Sequence, residues 1–196
     1  MTDRRLSMFL APAAALMVSA CGINSIPTAE ETVKARWADV QNEYQRRADL
    51  VPNLVATVKG YAAQEREVLI GVTEARAKAS SINVTSDQLT DPKALANFGA
   101  AQGALSQSLG RLLVTVEKYP DLKSNQNFLA LQSQLEGTEN RITIARRDYN
   151  AAVQAYNTRI RTFPDIVGAK LIYGAKPMVT FQATAPNSNT APTVSF

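Results

Sequence analysis

Apolar side chains recur every three or four positions across residues 28–164, which is the period of α-helices that bury one face. Thr28 and Glu31 open the first stripe with the spacing of a helix-capping box. Proline at position 52 disfavours helical geometry in the residue before it, yet proline is tolerated in a first helical turn. The pattern therefore predicts one helix from Thr28 and a second helix capped by Asp49. The first buried stripe consists of Val33, Trp37, Val40 and Tyr44.

Two further helices follow a polar loop at residues 80–87. Asp91 and Pro92 form an N-cap followed by a proline in the first turn, which predicts the start of the third helix. Ser124 is the predicted cap of the fourth and longest helix, which reaches about Thr162. The apolar residues of this helix alternate at spacings of three and four, as they do in long helices that cross at a shallow angle.

These helices and their short connections predict an all-α fold, an antiparallel up-and-down four-helix bundle of long helices over residues 28–164. Beyond the bundle the pattern changes. Residues 166–174 are apolar but interrupted by glycine, and residues 176–181 alternate as an extended strand does. Residues 182–196 carry no charged side chain and are rich in Ala, Thr, Asn, Ser and Pro. We therefore predict that residues 165–196 form an apolar, extended segment followed by a disordered C-terminal tail.

The start of the chain has the character of an export signal. It is basic, and the uncharged residues 6–20 are too few for a stable transmembrane helix. The sequence Val-Ser-Ala-Cys that ends at Cys21 resembles the lipobox of bacterial lipoproteins. The resemblance implies that residues 1–20 are a cleaved signal peptide and that residues 21–27 are a lipidated anchor and short linker, tethering the protein to a membrane through Cys21. The alternative is an uncleaved signal-anchor helix in the inner membrane, with a free thiol at its end.

Composition narrows the chemistry of the protein. The chain has 21 Lys and Arg against 17 Asp and Glu, a formal charge of +4, and the charges are interspersed instead of grouped into a nucleic-acid footprint. Histidine is absent, which removes the commonest general base and the commonest transition-metal ligand. The nine glycines form no phosphate-binding loop. We therefore expect a protein that is not an enzyme and that has no metal site, no cofactor and no nucleic-acid partner.

Dense aromatic and polar motifs mark several of the predicted helices. They occupy Trp37, residues 44–55, 119–124, 135–142 and 145–150, and the pairs at 156–157, 163–164 and 176–177. Through these motifs, residues 27–181 resemble the LemA family of bacterial envelope proteins. The resemblance implies an antiparallel four-helix bundle behind an N-terminal hydrophobic segment. Many members keep a signal-anchor helix there, so the exported, lipidated topology depends on the residues around Cys21.

Charged and amide side chains of these motifs accompany the apolar stripes, and two interpretations of them stay open. They either form interhelix ion pairs and hydrogen bonds that set the register of the helices, or they present a docking surface to a partner protein. The residues concerned are Arg46, Arg47, Asp49, Glu136, Glu139, Asn140, Arg141, Arg146 and Arg147.

An anchor, a rigid helical body and the lack of a catalytic motif indicate a membrane-tethered scaffold or adaptor for another envelope protein. The bundle is expected to face the periplasm or the exterior. The alternative function is a carrier or sensor of an apolar or envelope-derived ligand held between helices, which the small residues of the third helix suggest. An enzyme that acts through carboxylates alone is the third hypothesis.

Overall fold

The computed structural model describes residues 24–182, and every regular element within them is helical. The predicted all-α class is therefore confirmed for this part of the chain. Four long helices carry the fold, and shorter helical turns connect them. In chain order the elements are α1 (Ser25–Tyr61), α2 (Arg66–Ser81), a 3-10 turn (Ser86–Thr90), α3 (Pro92–Val116), α4 (Pro120–Lys123), α5 (Gln126–Arg159), α6 (Asp165–Gly168) and a π-helical turn (Ala169–Tyr173).

The predicted helix boundary at Asp49 is wrong, because α1 continues through Pro52 for 37 residues. Proline lacks the N–H that would bond to the carbonyl group four positions earlier in the helix. At Pro52 this carbonyl belongs to Ala48, and the Nε of Arg76 donates to it at 2.8 Å. A side chain of α2 thus supplies the hydrogen bond that the α1 backbone loses, and the helix does not end there.

The turn between α1 and α2 lies at residues 62–65, inside what the sequence predicts to be one helix. The backbone N–H of Ala62 makes a final helical bond to Val58 O at 2.8 Å. The hydroxyl of Tyr119, which follows α3, donates to Glu65 Oε1 at 2.8 Å. No proline or Asn-Gly pair marks this turn in the sequence. A contact between distant parts of the chain holds the start of α2, and the local sequence marks the end of α1 only by Lys59 and Gly60.

Two helix starts follow the expected chemistry closely. Lys93 N donates to Asp91 Oδ1 at 2.8 Å, which confirms Asp91 as the cap of α3. At α5 the cap is Asn125 instead of Ser124, since Phe128 N donates to Asn125 Oδ1 at 3.1 Å. Both side chains are of types that favour this position, so the sequence locates the helix start to within one residue.

The start and the length of α1 differ from the prediction. The helix begins at Ser25, and the hydroxyl of Thr28 donates to Asn24 O at 2.8 Å instead of forming a capping box with Glu31. With 37 residues, α1 is longer than α5, which has 34 and ends at Arg159. The prediction that the fourth helix is the longest is wrong because it divided α1 in two.

Helices α1 and α5 pack side by side in opposite directions. At one end, Arg159 Nη1 donates to Ser25 O at 3.1 Å, and at the other end Asn125 Nδ2 donates to Tyr61 Oη at 2.8 Å. These are termed the Ser25 end and the Tyr61 end. Helix α2 packs against α1 and α3 but has only 16 residues, so it covers α1 at the Tyr61 end alone.

Two apolar clusters form the core, one toward each end. The cluster at the Tyr61 end joins α1, α2, α3 and the first half of α5, with Leu54 and Leu112 fully buried. The cluster at the Ser25 end includes Trp37 and Tyr149. In this cluster residues 82–90 and residues 174–182 occupy the side of the helices that α2 does not reach.

The chain beyond α5 returns to the bundle. Residues 165–173 are helical, not extended as predicted. Gly174 adopts φ +56°, which favours glycine, and the chain then continues to residue 182 without regular secondary structure. Residues 174–182 are termed the C-terminal segment. The signal peptide, Cys21 and the predicted disorder beyond residue 182 lie outside the described residues. Between residues 24 and 182, no helix is both long enough and apolar enough to cross a bilayer.

The bond from Arg76 to the Ala48 carbonyl predicts an energetic coupling between Arg76 and Pro52. Substitution Arg76→Met should lower the free energy of unfolding by about 1–3 kcal/mol, because it leaves a carbonyl group of α1 without a partner. In a Pro52→Ala background the restored N–H bonds to that carbonyl, so the same substitution should cost less. Urea unfolding of the four proteins measures the coupling, and an equal cost in both backgrounds would contradict it.

Candidate functional site

A polar layer crosses the middle of the helices and separates the two apolar core clusters. Its side chains come from α1, α3 and α5. A layer of this kind fixes the register of helices, because sliding one helix would leave buried polar groups without partners. Its members are Glu43, Arg47, Gln102, Ser106, Thr138, Glu139 and Arg141.

Arg47 is the centre of the polar layer, with 1% of its surface exposed. Its Nη1 donates to Ser106 Oγ and to Glu139 Oε1, both at 2.7 Å. Its Nη2 donates to Gln102 Oε1 at 2.7 Å and to Gln102 O at 3.1 Å. Gln102 Nε2 donates in turn to Ala79 O, at the end of α2. The planar guanidinium of Arg47 on α1 therefore binds α3 and α5 directly, and Gln102 extends the link to α2.

Arg141 makes a second link between α5 and α1. Its Nε donates to Glu43 Oε2 at 3.0 Å, and its Nη2 donates to Thr138 Oγ1 at 2.9 Å. Both charged side chains of this pair are partly exposed, so solvent screens it more than it screens the bonds of Arg47. The structure thus brings Arg47, Glu139 and Arg141 of the predicted set into one layer.

The other predicted residues, apart from Arg146, lie on exposed helix faces. The hydrogen bonds that they make stay within one helix, as between Arg147 Nη2 and Asp148 Oδ1 at 3.0 Å. Proximity in sequence to the polar layer does not place a side chain in it, because neighbouring helical positions point in different directions. The exposed residues are Arg46, Asp49, Glu136, Asn140 and Arg147.

A cleft runs between α3 and α5. Small residues on one face of α3 line it, namely Gly99, Gly103, Ser106 and Gly110. A cavity of about 230 Å³ lies beside the polar layer, and a hollow of about 580 Å³ continues toward the Tyr61 end, with Glu136 and Asn140 at its rim. A Cβ atom added at Gly103 or Gly110 would meet no atom within 4 Å, so the cleft is open along this face of α3. It is termed the α3–α5 cleft.

The cavity of this cleft is lined by two arginines and one acid, Arg47, Arg146 and Glu139. The guanidinium carbon of Arg146 lies 4.8 Å from the ring centroid of Phe181, a cation–π contact. Among the described residues, the buried Nε atoms of Arg47 and Arg146 have no hydrogen-bond partner. The cavity therefore combines a net positive charge with aromatic walls from Tyr44 and Phe181.

The C-terminal segment is bound to α5 by two side-chain amides. Asn157 Nδ2 donates to Met178 O at 2.8 Å, and Met178 N donates to Asn157 Oδ1 at 2.8 Å. Asn150 pairs with Phe181 in the same way, at 3.0 and 2.7 Å. Each asparagine thus satisfies both backbone groups of one residue, as a neighbouring strand would.

The spacing of the two asparagines fits an extended chain. Seven helical residues rise about 10.5 Å, and three extended residues span about 10 Å. Between the two pairs, Val179 N donates to Leu89 O at 2.9 Å and Tyr149 Oη donates to Val179 O at 2.8 Å. Asn150 and Asn157 both lie in the motifs that resemble the LemA family, and Asn150 is among the polar residues expected to form hydrogen bonds beside the apolar stripes, but the sequence does not predict that the two amides bind the C-terminal segment. The available signal was the Tyr-Asn pair that repeats after seven residues, at 149–150 and 156–157.

Phe181 anchors the segment in an aromatic cluster. Its ring centroid lies 5.8 Å from that of Trp37 and 5.9 Å from that of Phe98, and only 4% of the residue is exposed. Trp37 Nε1 donates to Val84 O at 2.9 Å, which ties the same cluster to the loop before the 3-10 turn. The C-terminal segment is therefore part of the core at the Ser25 end.

Burial keeps the two tyrosines beside this segment neutral. Burial raises the pKa of the Tyr149 hydroxyl, which keeps the proton that it donates to Val179 O. Burial also raises the pKa of Tyr44, although the nearby Arg146 and Arg47 act in the opposite direction. Across residues 24–182, no three Asp, Glu, His or Cys side chains are grouped so as to hold a metal ion.

The amide pairs predict how the C-terminal segment responds to substitution. Asn150→Ala and Asn157→Ala each leave one donor and one acceptor of the segment unpaired, which should lower the free energy of unfolding by about 1–3 kcal/mol. Amide hydrogen exchange at Met178 and Phe181 should accelerate in both variants. Gln154→Ala, on the exposed face of α5, is the matched control. Exchange as slow as in the wild type would contradict the role of the amides.

Known proteins share this chain's sequence over most of its length. A sequence profile of the LemA family matches residues 36–196. Over 157 residues the chain is 30% identical to the magnetosome protein MamQ 2 of Paramagnetospirillum magneticum, which covers 72% of this chain and 58% of that protein. Over 140 residues it is 29% identical to protein LemA of Metamycoplasma hominis, covering 71% of this chain and 57% of the relative.

The chain thus spans 58% and 57% of the length of these two relatives. The matched region contains the polar layer, the α3–α5 cleft and the C-terminal segment with its two asparagine pairs. On the extent of this match, the chain belongs to the LemA family.

Proposed function

We propose that this protein is a membrane-tethered, non-enzymatic scaffold or adaptor of the bacterial cell envelope. In this proposal the four long helices act as an up-and-down antiparallel bundle, held in one register by the polar layer. A lipid on Cys21 tethers the bundle, which faces the periplasm or the exterior. An uncleaved signal-anchor helix in the inner membrane is the alternative tether.

One observation carries the adaptor role, the way in which α5 holds an extended chain. Asn150 and Asn157 bind backbone atoms, so this mode of recognition does not depend on the side chains of the bound chain. The described segment ends at Gln182, which lines the α3–α5 cleft. The cleft therefore lies directly beside the bound C-terminal segment, and a segment of a partner protein is its proposed occupant.

The lining of the α3–α5 cleft supports a partner segment with an acidic side chain. Nothing lies within 4 Å of a Cβ added at Gly103 or Gly110 of α3, which permits close approach of another chain. Arg146 is half-buried and contacts the Phe181 ring, and no acidic side chain within residues 24–182 forms an ion pair with it. A carboxylate of the partner supplies the missing counter-charge.

The proposed tether is tested by the intact mass of protein extracted from membranes. The wild type should lack residues 1–20 and carry the mass of two or three acyl chains, because one chain alone binds a bilayer only marginally. Cys21→Ser should remove the acyl mass. If the wild type keeps residues 1–20 and carries no acyl group, the lipid tether is contradicted and the signal-anchor helix is the tether.

The adaptor role is tested by filling the α3–α5 cleft. Gly103→Leu places a side chain in the open cleft, and leucine also favours the helix over glycine, so the fold should be retained. Proximity labelling in cells should find protein neighbours that this variant loses. Gly71→Leu on α2, also in open space, is the matched control and should keep them.

Two outcomes of this labelling would contradict the adaptor role. In the first, the wild type has the same neighbours as an unrelated helical bundle carrying the same lipid anchor. In the second, Gly103→Leu keeps every distinctive neighbour of the wild type. This result would mean that the partner does not bind in the cleft.

The carrier or sensor function is the second candidate, and the cavity itself favours it. About 230 Å³ of space between α3 and α5 is bounded by aromatic rings and by the guanidinium groups of Arg47 and Arg146. This lining suits a small envelope-derived ligand with an apolar part and an acidic group. Native mass spectrometry distinguishes the two functions, because only a carrier would leave the membrane with a small molecule that Gly103→Leu excludes.

A further inference from the structure

Exposed apolar side chains are concentrated at the Ser25 end of the molecule. Elsewhere in the described residues the exposed large apolar residues are separated from one another in sequence, as on an ordinary soluble surface. Between residues 163 and 173, in contrast, five of them occur within eleven positions. Phe163 is 84% exposed and Leu171 is 81% exposed, and the other three are Val167, Ile172 and Tyr173.

These residues belong to a short helical element, and to the turn before it, that are attached to the bundle. Val167 and Leu171 are four positions apart along α6 and its π-helical extension, so they lie on the same side of these helical turns, and Phe163 is exposed in the turn just before α6. The opposite side is buried through Gly168 and Ala169. The exposure is therefore a property of a folded, amphipathic element.

The bonds of Asp165 place this element beside the start of α1. Asp165 Oδ2 accepts a hydrogen bond from Ser25 Oγ at 2.9 Å and lies 3.6 Å from Arg159 Nε. Cys21 precedes Ser25 by four residues, which span at most about 14 Å when extended. A membrane that holds the N-terminal segment, either by a lipid on Cys21 or by an uncleaved helix, therefore lies close to Phe163 and Leu171.

The charges around the apolar face suit an anionic surface. Arg161, Lys170 and Lys176 are exposed beside it. The single acid between residues 159 and 181 is Asp165, which is bonded toward the bundle. Exposed cations next to apolar side chains are typical of elements that lie in the interface of bilayers with anionic lipids, and a tyrosine such as Tyr173 favours the headgroup level.

We propose that residues 163–173 are a membrane-contact surface whose apolar side chains lie in the interfacial layer of an anionic bilayer beside the N-terminal tether. This inference rests on the proposed tethering and adds a second point of attachment. Two attachments fix the orientation of the bundle, whereas a single flexible tether leaves it free to rotate. The Ser25 end then faces the lipid, and the Tyr61 end, about 55 Å away along α1, points away from the membrane.

Quenching of an inserted tryptophan by brominated lipids tests this surface. The full chain with its native N-terminal segment is reconstituted into vesicles of phosphatidylethanolamine and phosphatidylglycerol, with or without bromine on the acyl chains. Leu171→Trp adds an emitter to the face, and Leu129→Trp is the matched control, since Leu129 is an exposed leucine near the Tyr61 end. The single native tryptophan, Trp37, is 2% exposed and common to both variants.

The emission of the Leu171→Trp variant should be roughly halved by the brominated lipids, because an interfacial side chain reaches the acyl boundary. The Leu129→Trp variant should be unaffected. Replacing phosphatidylglycerol by phosphatidylcholine should weaken the quenching, since the exposed Arg161, Lys170 and Lys176 lose their counter-charges.

Failure of the surface and failure of the tether give different results. Protein that floats with the vesicles but shows no quenching at position 171 would overturn the membrane-contact surface and leave the tether intact. Protein that does not float with the vesicles would overturn the tether itself. If position 171 is unquenched by lipid yet protected from acrylamide in native membranes, another protein covers the face, which also overturns the proposal.

Discussion

Helices α1 and α5 run side by side for more than 30 residues, or about 50 Å, whereas α2 ends after 16. Half of the apolar stripe of α1 would face water if nothing replaced α2 at the Ser25 end. Each square ångström of apolar surface that is covered contributes about 25 cal/mol to stability, so this half needs other cover. Residues 82–90 and the C-terminal segment cover this half of the stripe. The paired asparagines of α5 and the aromatic cluster around Phe181 both serve to hold the C-terminal segment there.

An extended segment on a helical surface raises a hydrogen-bonding problem. The backbone groups of α5 are bonded within the helix and are not available to a neighbouring chain, yet buried backbone groups of that chain need partners. Asn150 and Asn157 solve this because a carboxamide offers one donor and one acceptor on the same side chain. The seven-residue spacing of the asparagines matches three residues of extended chain, and this match explains why Met178 and Phe181 are the residues that are bound.

The polar layer around Arg47 gives the two core clusters a common register. A buried guanidinium is costly to desolvate, and here its Nη atoms make four hydrogen bonds to α3 and α5, three of them at 2.7 Å. The same arginine lines the α3–α5 cleft, so the group that sets the helix register also shapes the proposed site. The proposed lipid-facing end and the proposed docking cleft at mid-height are thus held in fixed relation by one set of helices.

The sequence by itself determined the features that depend on local chemistry. The three- and four-residue period of the apolar residues predicted helices, Asp91 with Pro92 located the start of α3, and the motifs around Trp37 indicated the family. The helix boundary that Pro52 predicts is absent, because the effect of this proline depends on Arg76, a residue distant in sequence. Only the tertiary structure decided where α1 turns into α2, which of the nine candidate polar residues meet in one layer, and that the C-terminal segment belongs to the core. Each of these depends on a hydrogen bond or a packing contact between residues far apart in the chain, and periodicity along the sequence carries no information about such pairs.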